Sequence, residues 1–166
     1  MTSALTSFHL ATLFIAATLF AAAAFCDVTT YRIPNSLNAA LIALFPFYLF
    51  SAPVMPDWRQ GFLVFAVVSC FGFAAFLAKA WGAGDVKLLA AASLWAGSEW
   101  IATLLLITAL VGGIEALFAL IALHRDLPPT IRLFRLFRAQ IPYGLALATG
   151  GMSVLFFIAQ PLLLSD

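Results

Sequence analysis

Charged side chains are scarce in this chain. They make up 9% of its 166 residues, whereas soluble domains contain about 25%. The rest is strongly apolar, with 64% hydrophobic residues and a mean hydropathy of +1.09. Apolar runs of roughly 20 residues recur with short breaks between them, which leaves no stretch polar enough for a soluble domain. The composition therefore predicts an all-α, polytopic membrane protein with one transmembrane domain over residues 1–166.

Cysteine and histidine are also rare, and this excludes several kinds of site. The two cysteines, Cys26 and Cys70, form no Cys-x-x-Cys motif and have no histidine near them in sequence. We therefore expect no zinc site and no disulfide framework. The phosphate-loop pattern Gly-x-x-x-x-Gly-Lys-Ser/Thr is missing as well. Nothing in the sequence indicates a metal ion or a nucleic acid as a ligand.

Six apolar segments remain between the polar or flexible breaks. They cover residues 8–31, 36–52, 59–79, 86–98, 100–123 and 141–164. The breaks contain residues that commonly end helices, among them Pro34, Pro53 and Gly97. The pattern predicts about six transmembrane helices.

The positive charges are distributed unevenly between these breaks. Seven of the eight Lys and Arg residues lie in the first, third and fifth breaks, and only Arg59 lies in the second. Because cytoplasmic loops carry an excess of positive charge, the odd-numbered breaks are expected in the cytoplasm and both termini outside. This orientation places Asp27 and Asp85 on the same, cytoplasmic side of the membrane.

Asp27 and Asp85 are the strongest candidates for a functional pair, since a carboxylate near hydrocarbon is costly and is usually retained for function. Two carboxylates that meet in a water-filled cavity cannot both ionise easily, so one of them keeps a proton. Such a pair can activate a water molecule for attack on a peptide carbonyl and stabilise the resulting oxyanion, as in aspartic proteases. The sequence leaves open which aspartate would be the base.

Three blocks of sequence surround or follow these acids. They are Asp27 with Arg32-Ile33-Pro34-Asn35, then Gly82-Ala83-Gly84-Asp85-Val86-Lys87-Leu88, and Ile141-Pro142-Tyr143-Gly144-Leu145-Ala146. In this order the blocks resemble the type IV prepilin peptidases, which are GxGD-type intramembrane aspartic proteases. Among these enzymes the chain is most similar to the short, peptidase-only branch associated with Flp or tight-adherence pili.

The resemblance implies an aspartic endopeptidase that removes the leader peptide of prepilins or pseudopilins at the cytoplasmic face of the bacterial inner membrane. It assigns catalysis to Asp27 and Asp85 and implies no metal or organic cofactor. Longer members of the family carry cytoplasmic Cys-x-x-Cys motifs and an N-methyltransferase activity. Because those cysteines are missing here, methylation of the mature pilin is not expected.

Substrate binding is assigned to residues beside the two acids. A glycine backbone can approach an extended peptide closely, and a basic or polar side chain can contact its polar part. The residues selected on these grounds and by their place in the blocks are Gly82, Gly84, Arg32, Pro34 and Asn35.

Two further features have simpler interpretations. Glu115 lies within the fifth apolar segment, where a protonated or hydrogen-bonded side chain inside the bundle is favoured over a role in tuning the site or binding substrate. The segment 124–140 is expected to be a cytoplasmic loop that contains an interfacial amphipathic helix. Its Arg132, Arg135 and Arg138 share one side of a helix and suit a bilayer with anionic headgroups.

Two other functions fit parts of this pattern. A small transporter or proton-relay subunit could use Asp27, Asp85 and Glu115 to pass ions, and an inactive assembly protein could use the same polar residues to join helices. Neither gives a reason for the Arg-Ile-Pro-Asn and Gly-Ala-Gly-Asp blocks to occur together. The sequence predicts no particular pilin and no oligomeric state.

Overall fold

The computed structural model describes residues 2–124 and 143–163. Within these ranges it contains five helices and no strand. The helices are α1 (Thr2–Thr30), α2 (Asn35–Ser51), α3 (Trp58–Leu77), α4 (Ala83–His124) and α5 (Tyr143–Leu163). The all-α prediction is confirmed for these ranges. The predicted amphipathic helix with Arg132, Arg135 and Arg138 lies outside the described residues.

Four of the helices are long and apolar enough to cross a membrane. The apolar spans are Leu5–Thr30, Trp58–Leu77, Ala83–Ile121 and Tyr143–Leu162, and α2 is a shorter apolar helix. Large apolar side chains project outward from the bundle, such as Phe14, Phe50 and Phe71, which are 75%, 84% and 75% exposed. An outer surface of this kind suits lipid rather than water. The chain is therefore a polytopic membrane protein.

The predicted fourth and fifth segments follow each other directly within α4, where a kink at Gly97 divides two helices. Gly97 has φ 53° and ψ −161°, a combination that is essentially closed to residues with a side chain. The position of the break agrees with the predicted boundary between the two segments, but no loop separates them. We refer to residues 83–96 and 98–124 as the first and second halves of α4.

The link between α1 and α2 is short and partly buried. Tyr31 adopts a left-handed φ of 52°, and its N–H donates to the carbonyl of Asp27 at 2.8 Å. This conformation ends α1 at Thr30, one residue before the predicted end of the first segment. Pro34 then occupies the N-cap of α2, and Ile33 between them is only 8% exposed.

The first half of α4 forms the centre of the bundle. All of residues 88–96 are buried, and this half contains several alanines, which allow neighbouring helices to approach closely. On the opposite side of the bundle, Gly151 of α5 lies directly against the ring of Phe20 in α1. A buried polar contact also joins α1 to α2, because His9 Nδ1 and Ser51 Oγ lie 3.0 Å apart.

Candidate active site

The three sequence blocks meet at one end of the bundle. Asp27 lies in the last turn of α1, and Asn35 is the first residue of α2. Asp85 lies in the first turn of α4, and Gly144 is the second residue of α5. The contacts described below join these helix ends, so residues that are distant in sequence belong to one site.

Asp27 is held by the beginning of α5. Its side chain is nearly inaccessible, with 5% exposure, and its Oδ2 accepts a hydrogen bond of 2.7 Å from the backbone N–H of Gly144. The backbone N–H of Leu145 also interacts with this carboxyl group. The first amides of a helix have no acceptor within the helix, so Asp27 supplies the acceptor that the start of α5 lacks.

Only glycine allows this contact between α1 and α5. A Cβ atom on Gly144 would lie 2.7 Å from Cγ of Asp27, well inside van der Waals contact. The sequence assigned no role to Gly144. It could have been found as a glycine placed at the start of the last predicted helix, where free amides occur.

Asp85 occupies the neighbouring helix start and is half-buried. The backbone of Gly82 interacts with its carboxyl group, and a Cβ on Gly82 would lie 2.8 Å from Oδ2 of Asp85. Asp85 and Asp27 are close enough to interact electrostatically. The structure therefore brings the two predicted catalytic residues to one site.

The first two blocks also contact each other directly. The Cα of Gly84 faces Ile33, whose Cβ would be 3.4 Å from a Cβ added to this glycine. Beside this contact, Nζ of Lys87 donates a hydrogen bond of 2.8 Å to Oδ1 of Asn35. The sequence analysis did not predict this bond.

The remaining residues assigned to substrate binding lie near this contact. Arg32 and Pro34 are exposed on the link between α1 and α2, and Gly82 is exposed before the first turn of α4. Gly84 is half-buried and packs against the protein itself. The exposed residues of the predicted binding set can therefore contact a ligand, whereas Gly84 packs between two helix ends.

A groove of about 490 Å³ opens beside Asp85. Small residues of the second half of α4 form one wall, and α5 and the start of α4 form the others. The lining residues are Trp81, Asp85, Leu89, Leu105, Thr108, Ala109, Gly112, Gly113, Ala116, Tyr143 and Leu147. This mainly apolar groove with a carboxyl group inside it is suited to an apolar peptide segment.

Glu115 is a third acid near the pair. Both of its carboxyl oxygens are buried and have no hydrogen-bond partner among the described residues, and it interacts electrostatically with Asp27. The sequence favoured a structural role for this residue and did not predict its proximity to Asp27. Within residues 2–124 and 143–163, no group of three or more His, Cys, Asp and Glu side chains could hold a metal ion.

Comparison with known proteins gives one match. A family model described as the type IV leader peptidase family matches residues 13–117, which is more than half of the chain. The matched range includes Asp27 and Asp85 and ends before α5. No curated protein and no solved structure matches the chain. The resemblance seen in the sequence is confirmed, and the chain belongs to the type IV leader peptidase family.

Proposed function

We propose that this protein is a membrane-embedded aspartic endopeptidase in which Asp27 and Asp85 form the catalytic pair. Its substrates are prepilins or pseudopilins of the Flp type, from which it removes the leader peptide at the cytoplasmic face of the inner membrane, without an N-methyltransferase activity. The main support is that two carboxyl groups from α1 and α4 interact at one end of the bundle, beside a groove that one of them lines.

The proposed chemistry follows from the proximity of these two groups. One carboxyl group is ionised and accepts a proton from a bound water molecule as that water attacks the peptide carbonyl carbon. The other is protonated and donates a hydrogen bond to the carbonyl oxygen, which becomes an oxyanion. The first carboxyl group then transfers the proton that it took from water to the departing amine. The carbon–nitrogen bond breaks, the oxyanion becomes a carbonyl again, and the pair returns to its starting protonation state. The amide of Gly144 keeps the Asp27 carboxyl group in a fixed position throughout.

The surroundings of Asp85 support a substrate with a polar part and an apolar part. The groove next to Asp85 is lined mainly by apolar side chains, so an apolar segment that remains in the bilayer can occupy it. Arg32, Pro34 and Asn35 are exposed at the same end of the bundle, where they can contact a polar leader outside the hydrocarbon. We therefore place the scissile bond at the boundary between these two regions.

The charge distribution supports a cytoplasmic position for the site. Arg32, Lys79 and Lys87 lie at the end of the bundle that contains the two aspartates, and Arg59 lies at the start of α3 at the other end. Positive residues accumulate on the cytoplasmic side of membrane proteins. The proposed topology therefore has the site facing the cytoplasm and both termini in the periplasm.

Substitution of each aspartate tests this proposal. The chain is co-expressed with a cognate prepilin, and removal of the leader is followed by gel shift. We expect Asp27→Asn and Asp85→Asn each to abolish processing while the protein still accumulates in the membrane. Asp57→Asn is the matched control, because Asp57 caps α3 at the other end of the bundle and should leave cleavage per molecule unchanged. Normal cleavage by either of the first two variants would exclude the catalytic pair.

A proton-relay subunit remains the alternative, and the proximity of Glu115 to Asp27 is the observation in its favour. A relay would need all three acids, whereas the peptidase needs two. Membership of a peptidase family favours the peptidase. Leader cleavage by the wild-type chain separates the two functions, because a relay subunit would not cleave prepilin.

A further inference from the structure

A second cavity of about 440 Å³ lies at the other end of the bundle. It is formed where α2 ends, α3 begins, α4 is interrupted and α5 ends. Trp95, which lines it, follows Asp85 by ten residues, or about 15 Å along the helix. The cavity shares no lining residue with the groove beside Asp85, so the proposed peptidase reaction does not account for it.

Aromatic rings make up much of its wall. Tyr48 and Trp95 have ring centroids 5.2 Å apart, and Phe45 lies 5.7 Å from Trp95. Across the cavity, Trp100 stacks on Phe157 at 5.0 Å. The faces of such rings carry negative potential and attract cations.

The charged side chains that line the cavity are acidic, and Arg59, which is close to Asp57 in sequence, lies over the ring of Trp58. Asp57 and Glu99 line it, and its lining contains no Lys, Arg or His. Asp57 already accepts bonds from the amides of Arg59 and Gln60, which leaves Glu99 as the carboxylate available to a ligand.

Tyr48 supplies an independent indication of a ligand. Only 7% of its surface is exposed, and it lines the cavity. Tyr48 is also close enough to Glu99 to interact with it electrostatically. A phenol oxygen and a carboxylate that share a cavity are both acceptors for a donor with positive charge.

We propose that this cavity binds an ammonium group, and that in the membrane this group is the headgroup of an ethanolamine phospholipid. An ammonium ion can donate to Tyr48 and Glu99 together while it contacts the aromatic wall. Val54 and Met55 line the cavity and are 83% and 66% exposed, so they offer an apolar rim for acyl chains. Trp58 and Trp100 at the same end are typical of the boundary between lipid and water.

Native mass spectrometry of the purified full-length protein tests the proposal. The protein in detergent is titrated with phosphatidylethanolamine or with phosphatidylglycerol of the same acyl chains. We expect phosphatidylethanolamine to bind more tightly, and Glu99→Gln to weaken this binding at least tenfold, because a charge-assisted hydrogen bond is lost. Tyr48→Phe should weaken it about fivefold, because one hydrogen bond to an uncharged acceptor is lost.

Two controls accompany these variants. Glu99→Asp keeps the charge and should retain most of the binding, and Tyr31→Phe removes an exposed hydroxyl group at the far end of the bundle and should change nothing. Thermal unfolding is recorded for each variant. If Tyr48→Phe fails to fold, Glu99→Gln alone decides the result.

Free ethanolamine identifies the source of the ammonium group. If phosphatidylethanolamine binds and free ethanolamine does not displace it, the site is a lipid site, as proposed. If ethanolamine binds and phosphatidylethanolamine does not, the site takes a soluble amine and the lipid assignment is wrong. The proposal would be overturned if the two phospholipids bound equally and ethanolamine did not bind. It would also be overturned if Glu99→Gln bound phosphatidylethanolamine as tightly as the wild type does. None of these measurements depends on Asp27 or Asp85, so the peptidase proposal can fail without affecting this one.

Discussion

At the scale of residues, the candidate site depends on how closely helix backbones approach the two carboxyl groups. Gly144 lies against Asp27, and Gly82 lies against Asp85. In both cases an added methyl group would occupy the space of the carboxyl group itself. The two glycines therefore set the positions of the acids, and the acid of α1 is fixed by a residue that follows it by more than a hundred positions.

Gly144→Ala tests this dependence. The added methyl group would displace the Asp27 carboxyl group or the start of α5, and overpacking of this kind costs about 1–3 kcal/mol. We expect a loss of at least tenfold in leader cleavage per folded molecule. Gly151→Ala is the matched control in the same helix, since its methyl group would meet Phe20 at 2.6 Å and not the site. It should lower the melting temperature but not the specific activity, and equal activity losses in both variants would contradict the assignment.

Glu115→Gln addresses the third acid. Both oxygens of Glu115 are buried without a partner in the described part of the chain, so a neutral amide of the same shape should be tolerated. We expect the variant to accumulate normally and to process prepilin within about tenfold of the wild type, because two carboxyl groups suffice for the peptidase reaction. The measurement is the gel-shift assay beside the Asp27→Asn variant. Loss of cleavage as complete as in that variant would show that the peptidase reaction needs the third acid, contrary to this expectation.

The sequence indicated unusual chemistry better than it indicated contacts. Asp27 and Asp85 were predicted as a pair because a carboxyl group in an apolar sequence has a high cost, and the structure places them close enough to interact. The contact between Lys87 and Asn35 could not be predicted, since 52 positions separate the two residues and neither position is unusual for its residue type. The same holds for His9 and Ser51, which become partners only when α1 and α2 pack together.

At the scale of elements, α4 joins the two cavities of the molecule. Its first turn carries Asp85 beside one cavity, and its interruption at Gly97 lies beside the other. Trp95, just before the interruption, donates a hydrogen bond of 3.1 Å to the carbonyl of Leu41 in α2. Ser98, just after it, donates to the side chain of Gln60 in α3. The interruption is therefore held from both sides by neighbouring helices.

Gly97→Ala should destabilise this interruption. The residue has φ 53°, and a side chain in such a conformation costs about 1–3 kcal/mol. No atom lies within 4 Å of an added Cβ, so backbone conformation is the only cause of the effect. We expect a lower melting temperature in detergent. Gly113→Ala is the control, because its Cβ also meets nothing within 4 Å and alanine is favoured in a regular helix by about 1 kcal/mol. A fall in stability of equal size in both variants would contradict this explanation.

At the scale of the whole molecule, apolar runs and their breaks were enough to predict most helix boundaries. The predicted segment 36–52 is α2 with one residue of difference at each end, and 59–79 differs from α3 by one and two residues. The direct succession of the two halves of α4 could not be predicted, because Gly97-Ser98 is also typical of a loop. Nor does hydropathy indicate which helices are neighbours. The pairing of α1 with α5 depends on small residues such as Gly151, whose partners become known only from the fold.

The proposed orientation can be tested by labelling two exposed positions at opposite ends of the bundle. In a background without Cys26 and Cys70, Ser36→Cys lies beside the candidate site, and Val54→Cys lies beside the second cavity. Because most positive residues cluster at the end that carries the candidate site, we expect this end to face the cytoplasm. A membrane-impermeant maleimide should label Val54→Cys in intact cells with a permeabilised outer membrane, and Ser36→Cys only after the inner membrane is opened. Both variants should still cleave prepilin, which shows that they are folded. Labelling of Ser36→Cys in intact cells would place the two aspartates on the periplasmic side. Cleavage at the cytoplasmic face, as proposed, would then be impossible.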